Sequence, residues 1–356
     1  MIDMHTYIGD VMQSHRRTAS DRSLGDAPRE FAVETTGVLM TLARLRPDNF
    51  TLAIAGAVVV ASVLPATGAT AVVLGDVVKV AIALLFFMHG AKISRDAVVA
   101  SLLHWRLHLL ILASTFVLFP LLGLSIRAWM PGLPPEMSAG IVYLAILPST
   151  VQSSIAFTSI GRGNVAGAVC AASLSNFLGI FLTPILAGVV LHASGVTISG
   201  RAIVGIFEQL LLPFTLGQVL QRWVGPWIRR NAKVLSLFDR GSILGVVYLA
   251  FGQAVLGGIW HTVTPGMLAL LIAVLAVLLG AVLTATTSVA RLLGFSREDE
   301  ITIVMCGSKK SLASGIPMAT ILFAGLDMGL LVLPLMIFHQ MQLMVCAILA
   351  QKYADR

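Results

Sequence analysis

From Phe50 onward, the chain consists of long apolar stretches of about 20 residues, separated by short turns rich in Gly, Pro and Ser. Stretches of this length with few charges are long enough to cross the hydrocarbon core of a bilayer as helices. The pattern predicts an all-α polytopic membrane protein with ten transmembrane helices. They lie near residues 50–67, 71–91, 105–129, 136–160, 164–191, 202–222, 241–260, 266–290, 300–324 and 328–350.

The stretch near 300–324 is interrupted at its centre. The segment from Cys306 to Ser311 reads Cys-Gly-Ser-Lys-Lys-Ser, which is small, polar and doubly cationic. A lysine at the middle of a lipid-facing helix costs about 2.5–3.5 kcal/mol on insertion scales. We therefore expect two half-helices that meet at a break, where protein or a water-filled cavity surrounds the freed backbone groups.

A second interrupted stretch, residues 135–160, lies half a chain earlier and contains Pro148 at its centre. A shift of 157 residues aligns Gln152–Ala156 with Lys309–Ala313. Two interrupted hydrophobic segments at matching places in two halves are typical of a transporter binding site. Five helices per half would insert the halves with opposite orientations, which predicts two inverted five-helix repeats, about 50–191 and about 202–350. The alternative is two ordinary spans, each with a Pro or Gly kink.

Composition and charge fit a membrane protein. Hydrophobic residues make up 57% of the chain and charged residues 12%, against about 25% charged in soluble domains. If the N-terminus is cytoplasmic, 19 of the 24 Lys and Arg residues lie on the inner side, two lie outside and three lie within spans. The positive-inside rule then places both termini in the cytoplasm, in a plasma membrane and more specifically a bacterial inner membrane. The net charge of +7 therefore reflects membrane orientation rather than a nucleic-acid partner.

Residues 1–49 are polar and lack an apolar run of spanning length. Arg16-Arg17 has no hydrophobic region directly after it, which argues against a twin-arginine signal. We expect a flexible cytoplasmic extension, with Met40 as an alternative start, before a transporter domain of residues 50–352. The three cysteines lie in apolar segments and show no zinc spacing, so no disulfide framework is expected.

Several short motifs, taken together and in order, resemble the bile acid:sodium symporter family, solute carrier family 10, over nearly all of residues 44–352. The motif in the ninth span looks most like an outlying branch, that of the family's seventh mammalian member and its bacterial relatives. The resemblance implies a panel domain and a core domain, with broken helices 4 and 9 crossing in the core. It also implies coupling of organic-anion uptake, typically of a steroid acid or conjugate, to sodium. The motifs are Arg46–Phe50, Leu107–Leu110, Phe116–Pro120, Pro148, Arg162–Val165, Cys306–Leu312 and Gly315–Met318.

The sodium ligands that the resemblance implies are replaced here by other residue types. The family's ligand positions fall on Thr115, Ser153, Ser154, Ala168, Ala172, Val304 and Ser308. These residues supply hydroxyls but no carboxylate, whereas a hard cation favours several oxygen ligands with some negative charge. Ser173, Ser175 and Asn176 lie close by and, with Ser153 and Ser154, form an alternative sodium site.

The two lysines lead to the sharpest hypothesis. Adjacent residues on a helix point about 100° apart, so Lys309 and Lys310 can face one cavity only if the backbone is unwound. Otherwise one should snorkel or pair while the other enters the site. We predict that a lysine is a built-in cation and anion partner, and that transport depends weakly or not at all on sodium. The alternative is that sodium binds elsewhere and the lysines only stabilise the structure.

The candidate substrate- and ion-binding residues come from both breaks and from neighbouring helices: Thr115, Pro148, Gln152, Ser153, Ser154, Ser173, Asn176, Gly307, Ser308, Lys309, Lys310, Ser311, His339 and Gln340. No His-Glu-x-x-His, Gly-x-Ser-x-Gly or paired intramembrane aspartates occur, so the chain is not expected to be an enzyme. We predict a secondary transporter whose partners are the lipid bilayer and a small organic anion, with no cofactor other than, in the alternative, a sodium ion. A membrane regulator that keeps the fold without net transport is the competing function.

Overall fold

The computed structural model describes residues 49–92, 104–129, 132–191, 204–205, 207–323 and 328–355, and all regular structure in these ranges is helical. Apart from Asn49, the predicted N-terminal extension lies outside them. Within these ranges, six helices are long and apolar enough to cross a membrane: 68–92, 105–129, 165–190, 233–256, 265–292 and 328–354. Two shorter apolar helices, Leu52–Val63 and Pro135–Ile146, accompany them. The chain is therefore a polytopic α-helical membrane protein, as the sequence predicted.

The helices are numbered here in chain order. They are α1 Asn49–Val63, α2 Gly68–Lys92, α3 Trp105–Trp129, α4 Pro135–Ile146, α5 Gln152–Ile160, α6 Val165–Leu186, α7 Leu212–Val219, α8 Gln221–Arg230, α9 Ala232–Leu256, α10 Ile259–Thr262, α11 Pro265–Leu292, α12 Arg297–Gly307, α13 Leu312–Leu322 and α14 Met328–Ala354. Helix α3 contains a π-helical turn at Ser114–Leu118. Helix α9 begins at Ala232, earlier than the apolar segment predicted near 241, and its first part, residues 232–240, mixes apolar and polar side chains.

Side-chain caps fix where several helices begin. Ser296 accepts a hydrogen bond from the Asp299 N–H at 3.2 Å at the start of α12, and Asn164 accepts one from the Gly167 N–H at 2.8 Å at the start of α6. These caps satisfy N–H groups that have no partner in the first turn. The Asn164 side chain also donates to Asp299 at 2.9 Å, so the beginnings of α6 and α12 are joined.

Two short helices are buried on every side. Every residue of α4 from Met137 to Ile146 is buried, and so is every residue of α12 from Glu300 to Gly307. Helix α4 packs on α14 and on the second half of α3, whereas α12 packs on α5, α6 and α11. The first half of each interrupted segment therefore lies inside the protein, where freed backbone groups can find partners.

Candidate functional site

The break between α4 and α5 begins at a proline. Leu147, the residue before Pro148, is extended with φ −73° and ψ 155°, as the proline ring requires of its predecessor. The helix resumes at Gln152, and Val151 at its N-cap makes no side-chain capping bond. On α6, Gly179 lies against the proline ring, since a Cβ added there would be 2.6 Å from the Pro148 Cβ. Residues 147–151 thus form an unwound segment packed directly against a neighbouring helix.

The break between α12 and α13 contains the lysines. Helix α12 ends at Gly307, and α13 starts after Ser311, whose hydroxyl accepts from the Ser314 N–H at 3.2 Å. The Ser308 hydroxyl donates back to the Val304 carbonyl at 2.6 Å, which satisfies a group in the last turn of α12. Residues 308–311 are unwound, the condition under which adjacent lysines need not lie 100° apart.

The two breaks touch each other. The Ser311 N–H donates to the Pro148 carbonyl at 2.8 Å, and the Ser149 hydroxyl donates to the Cys306 carbonyl at 2.5 Å. Backbone groups that each helix leaves unpaired are therefore satisfied by the other broken helix. An unpaired buried peptide group costs about 1–3 kcal/mol, so these bonds make the contact between the breaks strongly favourable.

Polar residues of α6 hold the same contact from one side. The Ser149 N–H donates to the Ser175 hydroxyl at 3.0 Å, and the Asn176 amide donates to the Ser149 carbonyl at 2.6 Å. The Asn176 amide oxygen accepts from the Ser314 hydroxyl at 3.0 Å. Ser173, on the same helix, is half-buried. Ser175 and Asn176, predicted as alternative sodium ligands, thus already bind the backbone and side chains of the two breaks.

Lys310 is fully bonded. Its buried ammonium donates to the carbonyls of Thr115 and Ala145 at 2.7 Å and of Leu147 at 2.8 Å. It also lies 4.2 Å from the centre of the Phe119 ring. Ala145 and Leu147 lie at the C-terminal end of α4, where carbonyls carry partial negative charge. All three ammonium donors are used, and each acceptor is a main-chain oxygen of the kind that also binds metal cations.

The π-helical turn of α3 explains why the Thr115 carbonyl is available. In that turn the Phe119 N–H donates to the Ser114 carbonyl, one residue further back than in an α-helix. The next N–H in that register would come from residue 120, which is a proline and has none. The Thr115 carbonyl is therefore left for Lys310. Sequence reasoning named Thr115 but did not identify this cause, which the sequence contains as Pro120.

Lys309 points the other way, towards α5. Its ammonium is buried and lies 3.9 Å from the centre of the Phe157 ring, and it has no hydrogen-bond partner in the described part of the chain. The hydroxyls of Ser154 and Thr158 lie beside the Cys306 thiol and lack an oxygen or nitrogen partner among the described residues. The unwound backbone thus separates the two lysines onto opposite sides of the break rather than directing both into one cavity.

Gln342 of helix α14 binds the backbone of Lys310, just before α13 begins. The Gln342 amide oxygen accepts from the Lys310 N–H at 2.8 Å, and its amide nitrogen donates to the Lys310 carbonyl at 2.8 Å. The Thr150 hydroxyl donates to the same carbonyl at 3.0 Å. His339 lies 2.9 Å from the Gln342 amide nitrogen through its Nδ1. Gln342 was not among the predicted site residues, although it follows His339 by three positions, which places both on one helix face.

The structure brings most of the predicted site residues to the contact between the breaks. Hydrogen bonds at that contact involve main-chain or side-chain atoms of Thr115, Pro148, Asn176, Gly307, Lys310 and Ser311. Ser153, Ser154 and Lys309 lie on the α5 side, whereas Gln152 on α5 is exposed. The Ser308 hydroxyl bonds to the Val304 carbonyl within α12. His339 contacts Gln342, which in turn binds the break, and Gln340 is half-buried on α14. Ser149 and Thr150 lie in the interrupted segment around Pro148, whereas sequence reasoning missed Ser114 and the two aromatic rings, Phe119 and Phe157, that face the lysines.

Comparison with known proteins identifies the family. Residues 48–355 match the SBF-like CPA transporter family. The chain belongs to that family.

Its relatives extend over most of the chain. An uncharacterized protein of Pseudomonas aeruginosa is 56% identical over 319 residues, covering 89% of this chain and 96% of that protein. YfeH of Escherichia coli, whose name describes it as a candidate symporter, is 53% identical over 307 residues, covering 86% and 92%. Sodium/bile acid cotransporter 7 of Rattus norvegicus is 28% identical over 326 residues, covering 86% and 93%. The resemblance drawn from the sequence motifs is thereby confirmed. The chain belongs to a family of membrane transporters, not of enzymes.

Proposed function

We propose that the protein is a secondary active transporter of an organic anion that works by alternating access around the contact between the two breaks. The observation that carries the proposal is a pair of helices, both interrupted at their centres, whose breaks are hydrogen-bonded to each other and hold two buried lysines. Unwound helix segments buried at mid-span are where transporters bind their substrates and ions. The names of the relatives, which include a symporter and a bile acid cotransporter, agree with this class of function.

We also propose the finer architecture: ten transmembrane helices in two inverted five-helix repeats, about 50–191 and about 202–350. The fourth transmembrane helix (α4 and α5) and the ninth (α12 and α13) would be broken and would cross. Support comes from the bond between Ser149 and Cys306, which are 157 positions apart. That is also the shift that aligns the two interrupted segments, so the bond joins equivalent positions of the two halves, as expected near a pseudo-two-fold axis. Residues 50–352 would form the transporter domain, and residues 1–49, nearly all of which lie outside the described residues, a cytoplasmic extension.

The proposed orientation places both termini in the cytoplasm of a plasma membrane, in bacteria the inner membrane. Single cysteines at Thr67, between α1 and α2, and at His261, in the short helix α10, replace exposed residues and should react with an impermeant thiol reagent added to intact cells. A cysteine at Asn231 should react only after the membrane is opened. The background would carry Cys170→Ser, since Cys306 and Cys346 are buried. Labelling of residue 231 from outside would contradict the inverted arrangement.

We further propose that Lys310 is the built-in cation of the site and that transport depends weakly or not at all on sodium. Its ammonium uses three main-chain carbonyls at the end of α4 and in α3 that could otherwise bind a metal cation. In the alternative, sodium binds through Ser173, Ser175 and Asn176. The side chains of Ser175 and Asn176 already form hydrogen bonds with the two breaks, so a sodium ion would compete with those bonds.

Counterflow tests carrier-mediated translocation, with taurocholate as the probe because relatives are named for bile acids. Proteoliposomes preloaded with unlabelled taurocholate should transiently accumulate the labelled compound, whereas preloaded protein-free liposomes should not. Absence of protein-dependent accumulation would contradict the transport function and favour a membrane regulator that keeps the fold.

A further inference from the structure

The two buried lysines have unequal hydrogen bonding. Lys310 has three acceptors within 2.8 Å of its ammonium, whereas Lys309 has none in the described part of the chain. Burying an ammonium without a partner is costly, since its interaction with water is lost and nothing replaces it. Lys310 could bind an anion only by giving up bonds to carbonyls. Lys309 can bind one without giving up any hydrogen bond.

The surroundings of Lys309 supply further donors. Ser154 and Thr158 lie one turn apart on α5, and their buried hydroxyls have no oxygen or nitrogen partner among the described residues. The Ser153 hydroxyl, in the first turn of α5, has no partner there either. A serine or threonine hydroxyl can donate to a carboxylate, sulfonate or sulfate oxygen. One ammonium and three hydroxyls, none with an oxygen or nitrogen partner among the described residues, therefore lie on the same side of the break, and the hydroxyls of Ser154 and Thr158 contact only the Cys306 thiol there.

The beginning of α5 adds to the positive potential. The helix starts at Gln152 without a side-chain cap and without an acidic residue in its first turn. Its first N–H groups have no partner within the helix and carry partial positive charge. The N-terminus of α13, by comparison, is capped by Ser311. Of these two half-helix starts at the contact, that of α5 lacks a side-chain cap, and this is the helix that Lys309 faces.

Phe157 covers the ammonium in the present conformation. The ring lies 3.9 Å from the Lys309 nitrogen, and its electron-rich face partly offsets the positive charge. Phe157 itself is half-buried, and Gln152 and Ala156 on the same helix are exposed. The ring that covers the buried charge is thus itself partly exposed, on a helix with an exposed face. Rotation of that ring would open the charge to a ligand.

We propose that Lys309 is the binding partner of the anionic group of the transported substrate, with Ser154 and Thr158 as additional donors and the Phe157 ring as the group that the anion displaces. The ligand class is an amphipathic organic monoanion, a carboxylate, sulfonate or sulfate ester. This inference rests on the proposed transport of an organic anion and assigns the two lysines different tasks. Lys310 holds the break together as a fixed cation, and Lys309 binds the substrate's charge.

Binding to full-length protein in lipid nanodiscs tests the assignment without requiring transport. The probes are taurocholate, cholate and the uncharged methyl ester of cholate. Wild type should bind both anions, and the ester should bind at least about 10-fold more weakly, because it lacks the charge-assisted hydrogen bond. Lys309→Gln should lose a similar factor for the anions and none for the ester, while Lys309→Arg should recover most of the anion affinity. Lys352→Gln, which removes an exposed cation near the C-terminus, should bind like wild type.

A Phe157→Leu variant supplies a second measurement. Without the ring, an anion has no cation–π contact to displace, so the Kd for taurocholate should stay equal or fall by up to about 10-fold. Anion binding by Lys309→Gln that equals wild type would overturn the inference, and so would failure of wild type to bind either anion. Lys309-dependent binding without counterflow would instead contradict the proposed transport function and leave the Lys309 site in place.

Discussion

At the scale of single residues, adjacent lysines can do different work because the backbone between them is not helical. The ammonium of Lys310 is held by three carbonyls, and that of Lys309 lies against the face of an aromatic ring. The sequence showed that two lysines in mid-span required a break and a protein interior. It could not show which lysine faces which way, because that depends on acceptors contributed by α3 and α4, far away in the chain.

Replacing each lysine by methionine should separate these roles through stability. Lys310→Met leaves three buried carbonyls without a donor, at about 1–3 kcal/mol each, and should lower the free energy of unfolding by about 3 kcal/mol or more. Lys309→Met removes a buried charge that has no hydrogen bonds to lose, so it should be neutral or stabilising. Thermal unfolding of both variants in the same detergent checks this. Equal destabilisation by the two substitutions would contradict the assignment of the bonds.

At the scale of helices, the breaks follow from local sequence, and the contact between them does not. Pro148 and the Gly-Ser-Lys-Lys-Ser run identify where α4 and α12 end. The π-helical turn of α3 was not predicted. Pro120 was visible in the sequence, and because it has no N–H it leaves the Thr115 carbonyl of that turn free to accept from Lys310. Nor was the binding of the Lys310 backbone by Gln342 predicted, because a glutamine in an apolar helix is equally consistent with ordinary interhelical bonding.

The packing of α6 on the first break gives a prediction about helices. Gly179→Ala would place a Cβ 2.6 Å from the Cβ of Pro148, whose ring cannot move away easily. Such overpacking typically costs about 1–3 kcal/mol, and the displaced break should also slow uptake. The matched control is Gly280→Ala, in the middle of α11, where nothing lies within 4 Å of the added methyl. The control should be neutral or more stable by up to about 1 kcal/mol, since alanine favours helix.

Thermal unfolding of both glycine variants, together with taurocholate uptake, decides this point. If Gly179→Ala behaved like Gly280→Ala in both measurements, the break would not depend on close packing against α6.

At the scale of the whole molecule, the sequence predicted the membrane class and the family, because hydrophobic length and motif order are local properties. Six helices of spanning length in the described part of the chain and a family match over residues 48–355 confirm both. The coupling ion is a different kind of question. The sequence showed that the ligand positions implied by the resemblance carry no carboxylate. Only the folded chain shows that the Lys310 ammonium is bonded to main-chain oxygens of Thr115, Ala145 and Leu147.

The sodium dependence of uptake tests the central claim that Lys310 replaces an exchangeable cation. The measurement is the initial rate of taurocholate uptake by proteoliposomes containing wild-type protein, at fixed pH, with external sodium or with choline in its place. Because a side-chain ammonium is always present and its occupancy does not depend on an external ion, the rate should fall by less than about twofold in choline. Collapse of uptake in choline, with recovery when sodium is returned, would contradict the claim.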